Sequence, residues 1–203
     1  MVGLWLECGV DRKTEQRVIR KAAAGDREAS ARLIRTHQQS LYAYMLRMCG
    51  KPEIAEDIVQ EAFVRVLSNL HRFDERFRFS TWLFTIAKRL YINASAKMRP
   101  AYDTDTVGAA RSGLVGPEVL ADLDERRDVQ GDVLQAALAE LSVEQREVLI
   151  LFHQQDWSIA LIAQHLDMPE GTVKSHLHRG RRRLRDLVEH RDALASKLAG
   201  VWQ

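Results

Sequence analysis

The chain is 203 residues long, enough for one sizeable core or two small ones. With 46% hydrophobic and 29% charged residues and few Gly or Pro, its composition excludes a disordered or collagen-like chain. A formal net charge of +2 is too small to single out a polyanionic partner, so any such partner is met by one part of the chain only.

Residues 1–11 read as a tail: Leu4, Trp5 and Leu6 are apolar, but without a basic flank or a long apolar run they form neither a signal peptide nor a membrane span. Beyond it, strict alternation never persists and the periodicity is helical, so the expected fold is all-α. A first helix covers Thr14 to Ala24 and stops at Gly25, and Asp26 caps a second that runs to Gly50. A third runs from Glu53 to about His71 with Ala55, Ile58, Val59, Ala62, Phe63, Val66, Leu67 and Leu70 as its packed stripe. A fourth starts at Ser80 or Thr81, either a good N-cap, with Leu83, Ile86, Ala87 and Leu90 turned inward.

From Arg99 to Pro117 the periodicity fails and Gly108, Ser112, Gly113 and Gly116 appear, the composition of a flexible joint. Acids dominate from Ala101 to Asp128. Helices resume near Asp132 with Leu134, Leu138 and Leu141, and Ser142 caps the next, to about Gln154. Ser158 to Leu166 is short, Asp167-Met168-Pro169 is a turn, and Glu170 to about Val188 is long and basic. The expected organisation is a tail (1–11), a helical domain (12–100), an acidic linker (101–129) and a second helical domain (130–203).

A short helix, a tight turn and a longer basic helix have the form of a helix-turn-helix. At about 100° per residue, Val173, Leu177, Gly180 and Leu184 share the packed side of the last helix. Ser175, His178, Arg179 and Arg182 lie opposite, flanked by Thr172, Lys174 and Arg183. Between Lys174 and Arg185 there is no acid, which suits a helix that reads base edges and grips phosphates in a major groove. Gly180 in the packed stripe lowers helix propensity, and close approach of the short motif helix is the expected compensation. A solvated basic helix or an RNA-binding arm carries the same charges.

In the third helix Asp57, Gln60, Glu61 and Arg65 share the polar face. Such a pattern fits an ordinary solvated face equally well. Between that helix and the next, Phe73 to Phe79 mixes aromatic and basic side chains in one loop, the chemistry that captures unpaired bases by stacking. Trp82 and Phe84, at a helix start, read as core.

Four stretches resemble the extracytoplasmic-function sigma factors. Residues 169–185, from Pro169-Glu170-Gly171-Thr172-Val173-Lys174-Ser175 to Arg185, resemble that family's P-x-G-T-V-K-S-R-L-x-R-A-R-x-x-L segment, and Leu141 to Val148 its L-P-x-x-x-R-x-V lead-in. Ala55 to Phe63 resembles A-E-D-x-x-Q-E-x-F, and Phe79 to Ala87 resembles F-x-x-W-L-x-x-I-A. Arg89 and Asn93 stand where the family often has Asn and Asp, Leu161 replaces a common Glu, Asp167 a common Gly and His176 a common Arg. The resemblance implies a sigma factor that binds core RNA polymerase through Asp57, Gln60, Glu61 and Arg65. It implies melting and minus-ten contacts by Phe77, Phe79, Lys88, Arg89, Asn93 and Lys97. Thr172, Lys174, Ser175, His178, Arg179, Arg182 and Arg183 would then meet the minus-thirty-five element of promoter DNA. An anti-sigma partner is also implied.

No phosphate-cradling loop, nucleophile elbow or zinc-binding helix motif occurs, so neither an enzyme nor a cofactor is expected. His176 and His178 leave their helix on different sides, which excludes a metal pair there. Cys8 and Cys49 are too few for a disulfide framework, in keeping with the cytoplasm and no membrane insertion. Two other classes stay open at this point: a helix-turn-helix regulator that acts without polymerase, and a metal-dependent nucleic-acid enzyme.

Overall fold

A computed structural model describes residues 12–98 and 125–201, and the side chains of 97–98, 125–130, 132 and 191–201 lie outside that description. The expected tail with Cys8, the Arg99–Pro117 joint and the Lys97 side chain therefore fall outside the described residues. Among those described there is no strand. The elements are α1 (Arg12–Ala23), α2 (Arg27–Cys49), α3 (Pro52–Ser68), a 3-10 turn (Leu70–Arg72), α4 (Phe79–Met98), α5 (Glu125–Ala139), α6 (Val143–His153), α7 (Ile159–Leu166) and α8 (Glu170–Val201). They form two compact units, one holding α1, most of α2, α3 and α4, the other α5 to α8.

Punctuation follows local chemistry. Gly25 takes a φ of 91°, which L side chains rarely adopt, and ends the α1 segment. Asp26 then accepts from the backbone N–H groups of Glu28 and Ala29 at 2.9 and 3.1 Å, satisfying donors that the first turn of α2 leaves open. α3 stops at Ser68, three residues before the expected end, and the chain tightens into the 3-10 turn. α4 starts at Phe79, so Ser80 and Thr81 lie inside its first turn and are not its caps.

The first core is made of facing stripes. Val18, Ile19 and Ala22 of α1, Leu33, Leu41, Tyr44 and Met45 of α2, and Ala55, Ile58, Val59, Ala62, Phe63 and Val66 of α3 are buried. Phe79, Leu83, Phe84, Ala87 and Tyr91 of α4 are buried, whereas Ile86 and Leu90 stay partly exposed. The α4 stripe is thus rotated from the expected one, because Phe84 stacks on Tyr44 with ring centroids 4.9 Å apart.

In the second unit α8 packs on α5, α6 and α7. Helix α5 begins at Glu125, seven residues before the expected start, and α8 runs to Val201, well past the expected Val188. Ser142 and Ser158 cap α6 and α7, each accepting a backbone N–H at 3.2 Å. Asp167 closes α7 in the left-handed conformation, φ 53°, where Gly is the usual residue; Asp is among the few side chains that tolerate it.

Gly180 is buried, and a Cβ placed there would meet Leu149 Cδ1 at 3.0 Å and Gln145 Cβ at 3.5 Å. Both belong to α6. The close approach is real, but its partner is the helix before the motif and not, as expected, the short motif helix.

Arg146 of α6 is buried, with only 2% of its surface exposed. Its guanidinium donates to the carbonyls of Leu138 and Ala139 at 2.8 Å, and of Leu141 at 3.4 Å, acceptors at the end of α5 and in the turn after it. Charged donors of this kind hold more firmly than neutral ones. Arg146→Met keeps the stem and removes the charged donor from these carbonyls, and should lower stability by about 2–4 kcal/mol in chemical denaturation followed by helix signal.

Candidate functional site

Three exposed surfaces carry the residues singled out from the sequence. On α3 the apolar stripe is fully used, so the opposite arc faces out, and Asp57, Gln60, Glu61 and Arg65 are all exposed. Arg65 Nε meets Glu61 Oε1 at 2.6 Å, a pair one helical turn apart. Val64 lies in the middle of this arc at 59% exposure, a residue that sequence reasoning missed. Its signal was available: at about 100° per residue it falls between Gln60 and Asp57 on the wheel.

On the loop before α4 the two phenylalanines part company. Phe77 is 47% exposed and stands between exposed Arg76 and Arg78. Phe79, expected beside it, is buried: its ring packs against His37 at 5.0 Å, Phe73 at 5.8 Å and Trp82 at 6.2 Å. A helix start inside an aromatic cluster has no face left for a base, so Phe79 is a core residue and only Phe77 is presented. Trp82 belongs to the same cluster, at 5.3 Å from Phe73.

On α4 Arg89 and Asn93 are exposed one turn apart, and Ile92 beside them is 50% exposed. Lys88 is only partly exposed, because it lies towards the rotated stripe.

On α8 Val173 and Leu177 are buried and Leu184 partly so, which fixes the rotation of the helix. Thr172, Lys174, His178, Arg179, Arg182 and Arg183 are exposed and Ser175 partly so. Seven predicted side chains thus share one solvent-facing arc, with a density of positive charge suited to phosphate. The short turn before α8 sets its start: the Pro169 carbonyl accepts from Thr172 and Val173 N–H at 2.9 and 3.1 Å.

Arg181 behaves differently from its basic neighbours. Its Nε donates to His153 Nε2 at 2.9 Å, and its guanidinium lies over the Phe152 ring at 5.1 Å, so it folds back on α6. Among the described residues no three His, Cys, Asp or Glu side chains stand close enough to share a metal ion, and no helix is long and apolar enough to cross a membrane.

Sigma-70 region 2 matches residues 33–99, and Sigma-70, region 4 matches 131–184. The ECF RNA polymerase sigma factor SigW of Bacillus subtilis is 35% identical, covering 82% of this chain and 92% of the relative. SigL of Mycobacterium tuberculosis, also an ECF RNA polymerase sigma factor, is 34% identical over 81% of this chain and 91% of its own. Among solved structures, CnrH in complex with the cytosolic domain of CnrY superposes with a TM-score of 0.66 at 20% identity, covering 87% of this chain and 97% of that one. RpoE bound to the anti-sigma factor NepR, from Bartonella quintana, gives 0.60 at 24%, covering 78% and 96%. At those identities the structural likeness speaks for the fold.

The His153–Arg181 contact has a pH dependence. Partial desolvation, and then the Arg181 charge, push the His153 imidazole below its ordinary 6.5, with Asp156 opposing. A depressed folded-state value means that the stabilisation is present above pH 6.5 and is lost as pH falls through the folded value. A histidine NMR titration should find His153 titrating below 6.5. Arg181→Ala should raise the value only in part, since burial, the larger cause, remains.

Proposed function

The chain belongs to the extracytoplasmic-function group of the sigma-70 family, a polymerase-binding, promoter-recognising sigma factor, and from that premise we propose how its surfaces divide the work. The α3 arc of Asp57, Gln60, Glu61 and Arg65 docks on core RNA polymerase. Phe77, with Arg89 and Asn93 of α4, receives the unpaired minus-ten bases. The exposed arc of α8 reads the minus-thirty-five element in the major groove. The protein acts in the cytoplasm as an initiation factor without catalytic chemistry of its own.

The observation that carries this division is the separation of arcs. Each surface is a polar or cationic arc whose opposite side is consumed by core, so its residues cost nothing to the fold when a partner takes them. Docking by a polar arc also suits an association that must be undone after initiation. A regulator acting alone is disfavoured, because one basic arc makes few phosphate contacts and holds DNA weakly at physiological salt. An anti-sigma partner covering these arcs is in keeping with the CnrH and RpoE structures, each solved in complex with a partner protein, RpoE's being an anti-sigma factor.

Reconstitution with core polymerase tests the whole: promoter-specific transcription is expected from the purified chain plus core and from neither alone. Asp57→Arg combined with Gln60→Ala should abolish co-elution with core while helix content stays unchanged. Normal association would remove the α3 arc from the docking role.

Specificity separates on α8. Arg179 sits near the centre of the arc, where a guanine edge is within reach, and Lys174 at its flank, where phosphates lie. Arg179→Ala should cost about 1–3 kcal/mol at one or two base pairs and relax the preference there. Lys174→Ala should weaken all upstream elements alike and flatten the salt dependence by about one counterion. Selection from a randomised upstream element reads both, and a changed consensus with Lys174→Ala alone would mean that the helix is rotated in the groove.

A further inference from the structure

Helix α1 lies before the segment matched to region 2, which starts at residue 33, and nothing so far gives it a task. Three of its side chains, spaced one turn apart on a single face, reach the loop that carries Phe77. Arg12 Nη2 donates to the Arg76 carbonyl at 2.8 Å and to the Glu75 carbonyl at 3.4 Å. Gln16 Nε2 donates to the Glu75 carbonyl at 3.2 Å. Arg20 grips the Glu75 carboxylate with two parallel bonds, Nε to Oε1 at 2.7 Å and Nη2 to Oε2 at 2.6 Å.

The loop is held on its other sides as well. Asp74 accepts the Arg76 backbone N–H at 3.0 Å and its guanidinium at 2.6 Å, and the Phe77 N–H closes on the Asp74 carbonyl at 3.0 Å. Phe73 and Phe79 sink both ends into the aromatic cluster with Trp82. The Phe77 and Arg78 side chains stay exposed beyond these anchors, next to the exposed Arg76 that Asp74 holds, so the apex is a cation–aromatic–cation run.

We propose that α1 is a positioning element for strand opening: Arg12, Gln16 and Arg20 hold residues 75 and 76 so that Phe77 is already presented when a base leaves the duplex. The proposal rests on Phe77 as the base-receiving side chain. Magnitude separates positioning from mere stability. The Arg20 side chain is 68% exposed and that of Glu75 33%, and pairs open to solvent in this way contribute little to global stability. A loop that must be ordered before it can stack a base loses affinity for that base when its order is lost. Arg20 and Glu75 hold each other charged, the hydrogen bonds between them being the larger cause.

The experiment uses the full chain assembled with core polymerase. It compares Arg20→Ala, Glu75→Gln, the swapped pair Arg20→Glu with Glu75→Arg, and Phe77→Ala, on duplex and pre-melted promoters. Arg20→Ala and Glu75→Gln should bind core normally and open duplex promoter about three- to tenfold more slowly. On the pre-melted template they should match the unmodified protein, and the swap should recover most of the rate. Amide exchange at 75–78 should rise in both single variants while α2 to α4 keep their protection.

Duplex opening at the normal rate by both single variants, with Phe77→Ala slow, would overturn the positioning role and leave the base-pocket reading standing. Normal opening by Phe77→Ala would overturn the reading itself, and the positioning role with it. Equal losses on both templates, or a melting temperature lowered in both variants, would make the contact an ordinary structural tie.

Discussion

Each helix must bury one arc and present another, and where the boundary falls decides what a partner can reach. The boundary is set by apolar side chains recurring every three or four residues, and the functional surfaces inherit it. On α3 the buried stripe from Ala55 to Val66 leaves Asp57, Gln60, Glu61 and Arg65 together on the far side. On α8 Val173 and Leu177 do the same for the basic arc. None of the residues proposed to act on these two helices needs strain or burial to reach its place, so fold and proposed function make separate demands on opposite sides of one rod.

That separation explains what could be read from the sequence and what could not. Periodicity makes arcs legible, so the α3 face and the α8 arc were recoverable side chain by side chain. A loop has no period. Phe77 and Phe79 are equivalent as letters two residues apart, and only the cluster of His37, Phe73 and Trp82 decides that one is core and the other exposed. The α4 stripe was misjudged by part of a turn because the aromatic stack of Phe84 on Tyr44 outweighs the aliphatic positions Ile86 and Leu90.

Tertiary partners were the least legible. The need for close approach at Gly180 followed from its place in a packed stripe, but which helix approaches is a matter of three-dimensional order. Arg181 looked like its neighbours in the basic run, yet a histidine 28 residues earlier and an adjacent phenylalanine turn it back. The Arg146 contacts with backbone carbonyls were equally invisible, since backbone acceptors carry no sequence signal. The contacts from α1 to the 75–76 backbone escaped for the same reason.

The contact at Gly180 also works as a phase reference for the arc proposed to read DNA. With Leu149 against its backbone, the α8 helix can neither roll nor slide by a residue without driving a side chain into α6. The side chains proposed to face the bases are then fixed by counting from that point, Arg179 about 100° behind and Arg182 about 200° ahead. Inserting one residue between Gly180 and Arg182 would leave the composition and charge of the arc untouched and turn its C-terminal half by about 100°. Under the proposed reading the DNA address is written in angle as much as in residue type, and length changes in this helix are far less tolerable than substitutions along it.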